Sequence, residues 1–250
     1  MERSGGGDAQ ETLRLLWRSE QPRSGRGRPP KVSLDKIVAA AMTLADQDGL
    51  DAMTMDKVAA SLGVGTMTLY THVPGKAELL DLMLDSAWQE LYLESTSDNW
   101  RKQVERYAYR TVDLHTRHPW LRMVSTTRPP LGPGLLARDN YLIAALSTAG
   151  LAAIEVSAAC DAIVTFVESA AAVLAEHTHA ERFSGQSDAD WWAARQVFWE
   201  TTFDPERYSA IQETWKKGGF NRTAGEAAAN AFDLGLKAIL DGLAARAQPR

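Results

Sequence analysis

Leu62-Gly63-Val64-Gly65-Thr66-Met67-Thr68-Leu69-Tyr70-Thr71-His72-Val73-Pro74-Gly75-Lys76 is the stretch that decides the fold. Gly63-Val64-Gly65 reads as a tight turn, because glycine enters backbone conformations closed to other residues. Thr66 to His72 then has the length of a two-turn helix, and Pro74-Gly75 separates it from a long helix running from Lys76 to Tyr92. That long helix turns Leu79, Leu80, Met83, Leu84 and Ala87 inward. Upstream, Thr54 caps a short helix whose inner face is Met55, Val58, Ala59 and Leu62. Before it, Ser33 caps a longer helix, Asp35 sits favourably in its first turn, and Ile37, Val38, Ala41, Leu44 and Ala45 form one apolar face that Gly49 ends.

Two short helices joined by a glycine turn, behind a longer supporting helix, are the parts of a helix-turn-helix. In such a unit the second helix enters the major groove with its N-terminal residues toward the base edges. Those residues are Gly65, Thr66, Met67 and Thr68: small, with hydroxyls for hydrogen bonds and a thioether suited to a thymine methyl. Leu69 and Val73 point into the core, Tyr70, Thr71 and His72 reach toward phosphates, and Lys76 stands at a helix N-terminus, where backbone N–H groups also attract phosphate. Double-stranded DNA is therefore the expected partner. A neighbouring stretch, Pro22 to Leu34, carries Arg23, Arg26, Arg28 and Lys31 without one acid, and Gly25, Gly27, Pro29 and Pro30 keep it irregular. Gly25-Arg26-Gly27-Arg28-Pro29 resembles the core of an AT-hook, slim enough for a narrow minor groove; the alternative is a solvated linker. Ahead of the arm, Met1 to Gln10 read as disordered, and Leu13, Leu15, Leu16 and Trp17 as a helical turn or two.

The run from Leu62 to Lys76, followed by Leu79-Leu80, resembles the DNA-binding domain of the TetR family of transcriptional regulators, and the likeness covers about residues 33 to 84. It implies base-reading positions at Thr66, Met67 and Thr68, phosphate-contacting positions at Thr54, Tyr70, Thr71, His72 and Lys76, and repression as the regulatory sense. Asp56 departs from the pattern: TetR itself has a basic base-contacting residue there, so the operator should differ.

Beyond Trp100 the periodicity predicts helices near 100–117, 119–125, 134–148, 154–177, 189–201, 205–217 and 224–246, and no strand-length alternation competes. The chain reads as all-α: an arm over 1–32, a helix-turn-helix domain over 33–84, and a larger helical regulatory and dimerisation domain over 85–250. Ala228, Ala231, Gly235, Ala238, Gly242 and Ala245 form a seam of small residues on the last helix, and helix 154–177 is similarly alanine-rich. The resemblance implies that these helices pair with their copies in a homodimer; ordinary packing within one chain is the other reading. Two reading heads about 34–36 Å apart would suit a palindrome. A weaker likeness to the TetR regulatory domain runs through residues 98 to 176 and implies a small-molecule effector bound between helices. Tyr107, Thr111, Trp120, Thr127, Tyr141 and Phe166 are the candidate lining. Tyr107 and Thr111 replace tetracycline-contacting types, and Val124 lies near the position of a metal-linked histidine, so neither tetracycline nor magnesium is expected. A regulator without an effector, its helical domain serving dimerisation alone, stays open.

Composition narrows the rest. With 45% hydrophobic and 24% charged residues the chain is an ordinary globular one. Ten basic and ten acidic side chains cancel over residues 1–80, so the net charge of −5 falls on 81–250, which argues against general polyanion coating. One cysteine, Cys160, excludes a disulfide framework and a multi-cysteine zinc site. No secretory leader or uninterrupted membrane span is read, which makes a cytoplasmic protein the expectation. A helical enzyme fares poorly: there is no His-Glu-x-x-His, P-loop or Gly-x-Ser-x-Gly signature, and His115 and His118 read as residues decorating a helix end. No catalytic residue, metal or cofactor is expected.

Overall fold

The computed structural model describes residues 2–18, 32–94 and 99–247. The head contains α1 (Ala9–Leu16), α2 (Leu34–Asp48), α3 (Met55–Ser61), α4 (Thr66–Tyr70) and α5 (Lys76–Gln89). Ser33 and Thr54 cap α2 and α3 as expected, their side chains accepting the Lys36 and Lys57 amides. Gly63 takes the turn at φ 66°, in the left-handed region that favours glycine. Ile37, Val38, Ala41, Val58, Ala59, Leu69, Val73, Leu79 and Leu80 close over one another as the head's core.

The body follows as α6 (Trp100–Arg117), a 3₁₀ turn (Pro119–Met123), α7 (Pro133–Ser147), α8 (Ala153–Ser184), α9 (Asp188–Ala193), α10 (Gln196–Thr201), α11 (Ser209–Lys216) and α12 (Ala224–Arg246). Helices α6, α7, α8 and α12 pack together around Val104, Tyr107, Leu142, Leu146, Ile163, Val167, Phe232, Leu236 and Leu240. The expected helix over 189–201 is broken in two, and α9 to α11 contribute no buried residue. Gly235 divides the small-residue seam: a Cβ there would meet the Phe166 ring at 2.4 Å, so this position packs within its own chain, while Ala231, Ala238, Gly242 and Ala245 are exposed. Helix α8 is long and apolar enough to cross a membrane by length and composition, yet it packs on α6, α7 and α12.

One helix belongs to both halves. Ten of the α5 residues are buried, against α2 and α1 on the head side and α7 on the body side. The join is made by Asp85, which is buried and accepts the Leu135 amide at 3.0 Å, so a carboxylate from α5 satisfies a free N–H at the start of α7. Gly132 and Gly134 are what allow this approach: a Cβ on Gly134 would lie 2.2 Å from the Asp85 carbonyl oxygen.

The N-terminal segment departs from expectation. Instead of disorder over residues 2–10, Glu2–Arg3 pairs in parallel with Val124–Ser125, Ser4 Oγ donates to the Arg128 carbonyl at 2.7 Å, and the Gly5 amide donates to Asp81 Oδ1 at 3.0 Å. The Asp8 amide donates to Glu78 Oε1 at 3.0 Å, and Asp8 then caps α1, which lies along α5. Burial holds the Asp81 carboxyl above the usual range, against the pull of the Gly5 and Ser4 hydrogen bonds. Gly7 fits because a Cβ there would stand 2.3 Å from Glu78 Oε1. The segment is a strap whose partners lie 70 and more residues away, which no local pattern announces.

Gly134→Ala is expected to lift α7 from α5 and cost about 1–3 kcal/mol, lowering the thermal midpoint by about 2–4 °C per kcal/mol. Gly225→Ala, whose added carbon meets open space, should leave the midpoint nearly unchanged in the same melting experiment.

Candidate nucleic-acid interface and effector cavity

Helix α4 is anchored on one side only. Leu69 and Val73 are 0% exposed, whereas Met67 is 75% exposed, and Thr68, Tyr70 and Thr71 are exposed beside it. Thr66 and His72 are half-buried at the margins. Gly65 precedes the helix in an extended conformation and supplies no capping side chain, so the first amides of α4 are not spent on a cap. Two partners were not foreseen. Thr66 Oγ1 donates to Asp56 Oδ1 at 2.6 Å, tying the start of α4 to the first turn of α3. Lys76 Nζ donates to Glu2 Oε1 at 2.9 Å, so the end of the strap sits on a phosphate-contacting candidate; both side chains remain more than a third exposed. Thr54 is exposed at the α3 cap, on the same head. Arg23, Arg26, Arg28 and Lys31 lie outside the described residues.

Behind the head, His118 pins three elements together. It ends α6, is 7% exposed, and sets Nδ1 2.9 Å from Asp46 Oδ1 on α2 and Nε2 3.1 Å from Glu90 Oε2 just past α5. Two carboxylates on two ring nitrogens suit the imidazolium, the form that donates from both. Burial works against that charge, but the hydrogen bonds and charges of Asp46 and Glu90 outweigh it and hold His118 above its ordinary value. Glu90 is half-buried, yet His118 and Arg117 draw its carboxyl below the usual range. The expected helix-end decoration at His115 and His118 is therefore corrected: both rings are buried and each sits within hydrogen-bond distance of a carboxylate.

The body holds an inner cavity of about 170 Å³, walled by Leu84 and Trp88 of α5, Leu121, Val124, His115 and Glu168 among others. An outer cleft of about 530 Å³ adjoins it, walled by Val173, His177, Trp191 and Trp192 among others. Arg122 lines both and is paired with Glu176 at 2.8 Å. His115 Nε2 meets Glu168 Oε2 at 2.7 Å, Glu168 Oε1 faces Arg138 Nη1 at 3.5 Å, and the Arg138 guanidinium lies 4.8 Å from the Trp88 ring centre. Tyr107 Oη, His115 Nδ1 and Trp120 Nε1 are buried without a hydrogen-bond partner among the described residues, an arrangement that costs free energy. Burial pushes the Tyr107 phenol up, and pushes the Cys160 thiol up to about 11, leaving the cysteine an inert buried group.

None of the six sequence-chosen lining residues borders either space. Tyr107, Thr111, Trp120 and Tyr141 are buried in helix packing, with Tyr141 Oη donating to the Gln103 carbonyl at 3.2 Å. Phe166 stacks on Phe232 and fills the notch at Gly235, and Thr127 is exposed beside Ser125. Trp199 and Trp215 meet edge-on in the exposed α10–α11 region.

A half-exposed short helix on a helical head, joined through a shared helix to a helical body, defines a helix-turn-helix transcriptional regulator. Residues 37–83 match the family model for bacterial regulatory proteins of the tetR family, and residues 94–247 match that for the tetracyclin repressor-like C-terminal domain. The chain belongs to the TetR family, whose work is regulation and not catalysis. It is 38% identical over 97% of its length to the HTH-type transcriptional repressor DrrR1 of Streptomyces coeruleorubidus, covering 88% of that protein. It is 31% identical to an HTH-type transcriptional regulator of Saccharopolyspora erythraea, covering 87% of each. Among solved structures, ActR of Streptomyces coelicolor in complex with actinorhodin superposes with a TM-score of 0.72 at 25% identity, over 88% of this chain and 98% of ActR.

Because the folded value of His118 is raised, its pairing stabilises fully below the unfolded value near 6.5 and is lost as pH rises through the folded one. Glu90, being lowered, contributes above its unfolded value and fails as pH falls. The thermal midpoint is expected to decline on the alkaline side of neutrality. His118→Gln should cost on the order of 2 kcal/mol at pH 6 and flatten that decline.

Proposed function

We propose that this chain is a homodimeric, cytoplasmic repressor that reads a palindromic operator and is released from it by a small, largely apolar molecule. The observation that carries the DNA reading is the 75% exposure of Met67 on a helix whose inner residue Leu69, with Val73 just beyond it, is wholly buried. An apolar tip held out to solvent in this way suits a thymine methyl in the major groove. In this reading Gly65, Thr66, Met67 and Thr68 face base edges, and Thr54, Tyr70, Thr71, His72 and Lys76 face phosphates. Arg23, Arg26, Arg28 and Lys31 form a basic arm for the adjacent minor groove. The proposed division is arm 1–32, reading head 33–84 and regulatory body 85–250.

Dimerisation is supported by apolar surface that its own chain leaves uncovered. Ile154 on α8 is 80% exposed and Leu234 on α12 is 70% exposed, among exposed Ala158, Ala162, Ala231 and Ala238. Small side chains allow close helix approach, and a four-helix interface of α8 and α12 with their copies would bury this area.

The effector reading rests on the inner cavity and on ActR, which is solved with actinorhodin. A molecule filling the cavity would touch Leu84 and Trp88 on α5 and Val124 on the strand that holds the strap. Both routes lead to Lys76: one along α5 itself, the other through Glu2. Differential affinity for two head separations is all that release requires, typically about 1–3 kcal/mol.

Selection of bound duplexes from a random pool is expected to yield a palindrome; an enriched site without dyad symmetry overturns the dimeric reading. On that site Lys76→Ala should weaken binding alike for all sequences and lower the salt slope by about one, and removal of 22–31 should lower it further. For the effector, a thermal-shift panel is expected to find compounds that raise the midpoint. Ala172→Phe, which fills the inner cavity, should abolish those shifts.

A further inference from the structure

The hydrogen bond between Thr66 and Asp56 restricts what the reading helix offers to DNA. A threonine hydroxyl has one proton to donate and two lone pairs to accept with. Here the proton is committed: Oγ1 donates to Asp56 Oδ1 at 2.6 Å, across ten residues and from one helix of the pair to the other. Asp56 is itself exposed, and its second oxygen has no partner among the described residues. The pair therefore presents acceptors only: the Thr66 lone pairs and the free Asp56 oxygen.

We infer that Asp56 is a specificity-determining residue, holding Thr66 so that the pair selects a base carrying an exocyclic amino group, cytosine above all, and rejects guanine. In the major groove cytosine offers the N4 amino donor, while guanine offers only the N7 and O6 acceptors. An acceptor-only pair meets the first with a hydrogen bond and the second with repulsion and an unmade bond. Adenine offers an amino group too, but its N7 acceptor would face the carboxylate, which places it second. Thymine shows an acceptor at O4 and has nothing to donate. The same logic gives Met67 and Asp56 complementary tasks: the thioether accepts a methyl-bearing edge one position along, and the carboxylate excludes the edge a basic residue would choose. This inference rests on α4 being the base-facing helix.

The test uses the full-length protein and the site it enriches from a random duplex pool, with every single-base variant of one half-site measured at fixed ionic strength. The wild type is expected to hold cytosine over guanine by about ten-fold at one base pair of each half-site. Asp56→Asn still accepts the Thr66 proton through its amide oxygen but turns the free carboxylate oxygen into an amide donor, so that preference should fall to about three-fold or less, with the other positions unmoved. Thr66→Val leaves α3 untouched and should reduce selectivity at the same base pair only. Thermal melting verifies that both variants keep the native fold. Asp56→Asn scaling all sequences by one common factor would mark a merely structural link between α3 and α4 and overturns the inference, as does guanine preferred at that base pair by the wild type. A pool from which the wild type enriches nothing overturns instead the docking of α4, and the two failures are told apart by that first step.

Discussion

Burial of α5 on both sides is the constraint on which everything else depends. A helix with ten buried positions has no free face along most of its length, so the head cannot tilt without the body responding. The packing is secured by Asp85, whose carboxylate takes the Leu135 amide at the start of α7, and by two glycines that let the backbones touch. A close-packed contact of this kind is stiff, because interiors tolerate little change of volume before strain appears. It turns the walls of the inner cavity, Leu84 and Trp88, into levers on the same rod that carries Lys76.

Around that rod the junction is stitched by charged groups withdrawn from water. His118 holds α2 to the end of α5 through two carboxylates, and the strap's amides occupy Asp81 and Glu78 on the opposite stretch of the same helix. Such pairs are directional where apolar packing is not, and their loss leaves a buried charge uncompensated. They favour one relative placement of head and body over near alternatives, which is what a two-position device needs. The strap adds a second link, from the strand at Val124 through Glu2 to Lys76 at the start of α5.

The reading head shows how a departure from a pattern can carry meaning. Asp56 stands where the family resemblance leads one to expect a basic contact, and by sequence it registers only as a substitution that removes one. In three dimensions it is a partner of Thr66, and an acid at this place changes what the neighbouring hydroxyl can do. The His115–Glu168–Arg138 chain makes the same point in the body: His115 and Arg138 lie far from Glu168 in sequence and meet only because α6, α7 and α8 converge.

Repeating local signals were enough to read the all-α class, the caps at Ser33 and Thr54, the turn at Gly63, and the inward positions of Leu69 and Val73. Each of these depends on residues within a turn or two of one another, and the 3.6-residue period records them directly. The lining of the cavity was not legible. Tyr107, Thr111, Trp120 and Tyr141 have the spacing of a wall, but an aromatic on an inner face fills core or borders space depending on what opposes it, and the opposing helix is not written in its own neighbourhood. The strap, likewise, looks like a flexible glycine run until Glu78, Asp81 and Arg128 are brought to it. Short-range periodicity by itself determined which faces are apolar and where helices begin; only the folded chain decided which faces meet, since contacts between residues seventy or a hundred apart depend on how every intervening element packs.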